Sequence, residues 1–276
     1  MKLLILSPDA YSVFHTDTSY IFGGIEIETG YHARGLAKMG VDVFVVTRDQ
    51  GREAHLCEGV HLLPHPRLKG EGYWEKRRSF GGRIQYRLFG DRGKFSTADE
   101  LYDHIAPDAC YVMGMAPETL HLARYCRRKN CVFIFRIAHD LDLGDETFDA
   151  EKMKAWAGVS PAEVREVIET AAEVLVQTPF QREMLEKRFG RSGEMMFPPI
   201  PTDVPQDGVA KEYDVLWVGK SNTFKRPEKL AGMARRMPGA KFCMVFNKVN
   251  ALQWEEVRSQ LGPNVTLLES VPADRI

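Results

Sequence analysis

The sequence predicts an α/β protein of two successive domains, each a mostly parallel sheet covered by helices. Three observations carry this. Apolar runs of four to six residues recur from Leu3 onward, as strands buried on both faces require. Segments with helix-start and helix-stop residues lie between them. The alternation then breaks and restarts. Residues 197–208 hold four prolines and a glycine, which continue neither a helix nor a central strand.

The elements follow in order. Residues 3–6 read as a buried strand. Residues 24–39 read as a helix that Gly40 ends. Residues 41–47 form a second strand and 59–63 a third. After an irregular basic stretch, a helix starts near Ser96, where Thr97 and Glu100 make a capping box. Residues 109–112, 131–135 and 174–176 are further strands, with helices at 117–129 and 161–171. Ser160, Pro161 and Glu163 supply a cap, a proline at the first position and an acid at the third. A helix over 179–189 ends at Gly190. The linker follows, and the boundary is set at 204/205. The second domain reads as a strand from 214, a helix at 227–237, a strand at 242–246, a helix at 252–261 and a strand at 265–268. That is two βα units and one more strand, fewer than the five or six of a doubly wound domain, so the second domain is expected to be incomplete.

Composition narrows the function. At 276 residues, 44% hydrophobic and 27% charged, the chain is ordinary for a globular protein. A formal net charge of -1 gives no general pull toward nucleic acid. The cysteines Cys57, Cys110, Cys126, Cys131 and Cys243 form no CxxC pair, and no metal-ligand cluster is expected. Their odd number and scatter suit a reducing compartment. The N-terminal apolar run is too short for a signal peptide, so a cytoplasmic location is expected.

Four groups of residues could carry chemistry. Strand 214–218 stops at Gly219, and a polar loop with Lys220 and Lys225 leads to a helix opening at Pro227. A buried strand that delivers a glycine turn and two lysines to a helix start can hold a diphosphate. The plainer reading is two solvated lysines. Gly23 and Gly24 precede the first long helix, whose N-terminal N–H groups attract an anion. Sixteen residues separate Leu6 from Gly23, so the tight dinucleotide fingerprint is absent and a relaxed loop end is the alternative. Phe135-Arg136-Ile137-Ala138-His139 lies just past a buried strand, where α/β sheets place ligands. There Arg136 could neutralise a phosphate and His139 could meet a sugar hydroxyl, or the histidine could simply be bonded within its loop with Asp140 and Asp142 as turn residues. Finally, residues 67–94 hold nine basic residues against three acidic ones, interleaved with aromatics. They suit an anionic membrane surface or a lipid-linked acceptor, or a solvated insertion.

The run Gly23-Gly24-Ile25-Glu26 after a long first loop, LAKMGVDV at 36–43, VLVQTPFQ at 174–181 and the loop from Val218 to Glu228 resemble the group 1 family of GT-B glycosyltransferases. The order matches over essentially the whole chain. The resemblance implies a GT-B-like fold: a Rossmann-like acceptor-side domain at 1–204 and, from 205, the first part of a Rossmann-like donor domain. It implies metal-independent transfer of a sugar from a nucleotide-diphosphate sugar, with no cofactor, to a carbohydrate or lipid-linked acceptor, with retained configuration. By this resemblance Lys220 and Lys225 stabilise the leaving diphosphate, and His139 meets the acceptor or sugar. Gly23, Gly24, Gly219 and Ser221 line the phosphates. Lys220 stands where the family usually has arginine, so the bidentate fork is missing. The family's acidic donor motif would lie beyond Leu268, so the chain is expected to be a fragment of a longer enzyme, or a naturally short relative, inactive alone. A GT-B-fold sugar-nucleotide epimerase and a non-catalytic binding module are the alternatives.

Overall fold

The protein is described from a computed structural model covering residues 1–15, 23–70, 95–144, 154, 157–200, 211–222, 225–248, 250–269 and 271. It divides into two compact units, Met1–Ile200 and Pro201–Ile276. Most of the basic aromatic segment and of the proline-rich linker lies outside the described residues.

In the first unit the chain runs β1 (Lys2–Leu6), α1 (Tyr11–Phe14), α2 (Gly24–Lys38), β2 (Asp42–Asp49), β3 (His55–Cys57), β4 (Val60–Lys69), α3 (Ala98–Ile105), β5 (Ala109–Met113), α4 (Pro117–Lys129) and β6 (Val132–Arg136). A 3-10 turn (Asp140–Leu143), α5 (Pro161–Thr170), β7 (Glu173–Val176), α6 (Pro179–Phe189) and β8 (Glu194–Met195) complete it. The sheet order is β3-β4-β2-β1-β5-β6-β7-β8, parallel except for the β3–β4 pair. Alternation along the central strand explains the layering. Leu3 and Ile5 pack with Ala33 of α2 and Phe14 of α1, while Leu4 and Leu6 pack with Leu101, Leu122 and Val167 of the helices on the other face.

Helix starts match their local chemistry. Thr97 accepts the Glu100 N–H at 3.2 Å, and Ser160 accepts the Glu163 N–H at 3.3 Å while Glu163 accepts the Ser160 N–H at 2.8 Å. The third strand differs from its sequence reading. It runs from Val60 to Lys69 and is the second arm of a hairpin with β3. Glu58 and Gly59 both have positive φ, 52° and 81°, as a two-residue hairpin turn of this hand needs. Glutamate rarely takes that conformation, so the turn gave no signal. Pro64 and Pro66 are tolerated because β3 pairs with β4 only through Leu62, and among the described residues no strand pairs that edge beyond it.

The second unit runs β9 (Val215–Lys220), α7 (Pro227–Arg236), β10 (Phe242–Asn247), α8 (Ala251–Ser259) and β11 (Val265–Leu268). Its three described strands are parallel in the order β11-β10-β9. The core sits between the sheet and both helices: Phe242, Met244 and Phe246 meet Leu230, Ala234, Trp254 and Val257. The Trp254 indole N–H donates to the Phe246 carbonyl at 3.1 Å, so the buried ring leaves no polar group unpaired.

Candidate functional site

Strand order reverses direction in the first unit between β1 and β5, which pair side by side while the chain leaves them toward opposite edges. Such a switch point opens a crevice at the carboxyl ends of the strands. Here Ser7 ends β1, Gly114 ends β5, and α2 begins beside them. The Thr29 hydroxyl lies 3.0 Å from Ser7 Oγ, which fixes α2 to the end of β1. Gly114 has φ +80°, and a β-carbon there would sit 3.6 Å from Ala138 and 3.8 Å from Ile25. The start of α2 and the turns after β5 and β6 therefore meet at one glycine.

Gly23 and Gly24 are the cap and first residue of α2. Among the described residues no atom lies within 4 Å of where a Gly24 β-carbon would be, which leaves the backbone there open to close approach. The Glu26 carboxylate, however, already accepts the Gly23 N–H. An internal anion thus occupies part of the helix N-terminus.

His139 is exposed at the end of β6 and caps the 3-10 turn. Its Nδ1 accepts the Leu141 N–H at 3.1 Å, so in the neutral ring Nε2 carries the proton and can donate. Asp142 holds the arrangement in place. It is 3% exposed; one oxygen accepts the Met115 N–H at 3.1 Å and the other accepts the Ala138 and His139 N–H groups at 2.9 Å each. Burial raises its carboxyl above the usual range, and the three backbone donors oppose that rise. Two glutamines tie in the next strand. Gln177 Nε2 donates to the Ile137 carbonyl at 2.7 Å, and Gln181 Nε2 donates to Asp140 at 3.0 Å. The VLVQTPFQ segment is thus a strand, a helix cap and two ties to the histidine loop.

Arg136 corrects the sequence reading. Its side chain is fully buried, paired with Glu28 of α2, and its Nη2 donates to the Met196 carbonyl at 3.1 Å. Full burial beside the Glu28 carboxylate gives Arg136 a structural role in place of the phosphate contact. His32 lies 3.8 Å from Glu28 and 3.4 Å from the Tyr111 hydroxyl. Burial, reinforced by the Arg136 charge, lowers His32 to about 4. Burial pushes Glu28 up, and Arg136 opposes that rise.

In the second unit, Lys220 ends β9 half-buried and Lys225 is exposed before α7. Among the described residues neither ammonium has a carboxylate partner. The Lys225 N–H donates to Asn222 Oδ1 at 3.0 Å, and Arg226 reaches Pro227 through a left-handed φ of 51°. Ser221 is fully buried, and its hydroxyl accepts the Asn250 N–H at 2.7 Å, binding this loop to the start of α8. A β-carbon on Gly219 would lie 2.6 Å from the Trp217 ring. Both residues therefore have a packing reason to be what they are.

Sequence reasoning missed Asp142, Gln177 and Gln181 as organisers and the Glu28–Arg136–His32–Tyr111 cluster. Gln177 and Gln181 carried one signal, their spacing across a Thr-Pro helix start.

No protein-family model matches this chain, and no curated protein matches it in sequence. Solved structures do match. Sucrose-phosphate synthase from Thermosynechococcus elongatus aligns with TM-score 0.63 and 14% identity over 98% of this chain and 71% of that one. The catalytic domain of starch synthase IV from Arabidopsis thaliana, bound to ADP and acarbose, aligns with TM-score 0.58 and 12% identity over 98% and 74%. A putative UDP-N-acetylglucosamine 2-epimerase from Listeria monocytogenes aligns with TM-score 0.55 and 11% identity over 99% and 70%. The chain has the GT-B fold that these structures share.

Proposed function

We propose that this chain is, or is part of, a cytoplasmic glycosyltransferase that moves a sugar from a nucleotide-diphosphate sugar to an acceptor hydroxyl, without a metal ion and with retained configuration. The observation that carries the reading is the β9–α7 loop. Two lysines that have no carboxylate partner among the described residues flank the turn that opens a helix, and like charges on one loop are best satisfied by an anion. In this reading the bond from the anomeric carbon to the β-phosphate oxygen breaks as the acceptor oxygen bonds to that carbon. The acceptor proton leaves to the departing phosphate. Lys220 and Lys225 meet the negative charge that grows on the leaving group. His139, donating through Nε2, orients a sugar hydroxyl, and the open backbone at Gly24 admits a phosphate or sugar oxygen. Gly219 and Ser221 shape the loop that carries the lysines.

The test is kinetic. In the full-length enzyme, Lys225→Ala is expected to lower kcat by roughly 10²–10³ with the acceptor KM little changed, since a leaving-group contact acts in the transition state. A raised KM with unchanged kcat would make Lys225 a ground-state contact and remove this role.

The likeness to a putative 2-epimerase favours a second reading, in which the same fold inverts a centre of a nucleotide sugar. Incubation with UDP-N-acetylglucosamine and no acceptor separates the two. An epimer supports the second reading, and product only on addition of acceptor supports the first.

A further inference from the structure

The cysteines that lie apart in sequence do not all lie apart in space. Cys110 is in β5, Cys126 in the last turn of α4, and Cys131 directly before β6. Their three Sγ atoms lie within 4.8 Å of one another, with Cys110 and Cys131 at 3.7 Å. None is in a disulfide. A tetrahedral ion with metal–sulfur bonds of about 2.3 Å separates its sulfurs by about 3.8 Å. The Cys110–Cys131 pair already has that spacing.

The backbone fixes the arrangement. Asn130 ends α4 in the left-handed conformation, with φ 53°. The Asn130 and Cys131 N–H groups both bond the Cys126 carbonyl, the latter at 3.0 Å. This tight cap folds Cys131 back beside Cys126 and against Cys110 on the neighbouring strand. It is also a helix C-terminus, where the backbone dipole favours a cation. Cys110 is fully buried and Cys126 is 1% exposed, while Cys131 reaches partial exposure. Cys126 and Cys131 line a cavity of ≈ 480 Å³ between α4 and α5, whose wall includes Glu166 and Glu169. That cavity is an entry path. Thiols at the start of two strands and a helix end lie at the amino edge of the sheet, away from the carboxyl-edge loops that hold His139 and Gly114.

We propose that Cys110, Cys126 and Cys131 form a three-thiolate site for a soft d10 cation, Zn(II) or Cu(I). Soft sulfur ligands select such ions, and in a reducing compartment clustered thiols favour metal over disulfide. On binding, the three S–H protons are released to solvent and three metal–sulfur bonds form. A solvent molecule reaching the ion through the cavity completes a tetrahedral Zn(II) shell, and Cu(I) needs no fourth ligand. The ion would pin the end of α4 to β5 and β6.

The test uses the reduced, metal-free chain. Zn(II) is titrated against a chromophoric chelator, Cu(I) against bathocuproine disulfonate, and Co(II) serves as the optical probe. Wild type should bind one equivalent of Zn(II), of Cu(I) or of each, and the Co(II) form should show thiolate-to-metal charge transfer. Cys131→Ser, at the partly exposed position, should abolish that binding while its circular dichroism stays native. Cys57→Ser, at a cysteine outside the cluster, should bind as wild type does. Binding of neither Zn(II) nor Cu(I), binding that survives in Cys131→Ser, or a Co(II) spectrum without thiolate bands would overturn the proposal. The result is read without any sugar-transfer assay, so it stands or falls separately from the proposed activity.

Discussion

His32 and His65 are held neutral inside the first unit. Burial lowers both to about 4, aided by Arg136 at His32 and by His121, Arg67 and other bases at His65. His65 Nδ1 accepts the Arg67 and Leu68 N–H groups at 3.2 Å each. Because the folded state resists a proton that the unfolded chain takes up near pH 6.5, stability is full above that pH and falls as pH drops toward 4. Each histidine contributes on the order of 2–3 kcal/mol over that window. Glu28 and Asp142, raised by burial, pull the other way in the acid range. Urea unfolding of His65→Asn, which keeps an acceptor near Nδ1 but cannot titrate, should show a shallower loss between pH 6.5 and 4. An unchanged pH slope would remove His65 from this account. Asp142→Asn puts an amide donor against at least one of three backbone donors, so it should cost on the order of 2–3 kcal/mol by the same measurement. Wild-type stability in this variant would mean the loop does not depend on that carboxylate. At this scale the sequence offered His139 because it follows a strand, but not Asp142, whose partner Met115 sits in the turn after another strand. Arg136 misled because an arginine at a strand end looks like an anion ligand until Glu28 of α2, distant in sequence, is seen beside it.

Elements with local chemistry were legible. Capped helices at Thr97, Ser160 and Thr178 begin where their side chains bond the third N–H of the helix. The short α1, the β3 arm and the two-residue β8 lack such signals and are held by packing or pairing to neighbours. The turn after β5 shows how an element can be fixed by one residue. Gly114→Ala should cost about 1–2 kcal/mol, because φ +80° strains any L side chain while its β-carbon meets only ordinary contacts. Thermal unfolding checks this, and an unchanged midpoint would show that the turn can relax. The β9–α7 loop is the counterpart in the second unit. Its strand, glycine and proline helix start were readable in sequence, while the burial of Ser221 against Asn250 was not, since it joins two successive loops of the sheet.

At the scale of the molecule, the chain forms two compact units, Met1–Ile200 and Pro201–Ile276, each with its own core. The chain has the GT-B fold, and in its second unit Lys220 and Lys225 have no carboxylate partner among the described residues. Lys220 and Lys225 are proposed to hold a diphosphate. Titration calorimetry with UDP, ADP and inorganic pyrophosphate tests it without knowledge of the sugar or acceptor. The expected result is a salt-sensitive diphosphate site that each of Lys220→Ala and Lys225→Ala weakens by about tenfold or more, since each removes one charge-assisted contact. Diphosphate binding of the same strength in the wild type and in the double variant, or none to the wild type, would contradict it.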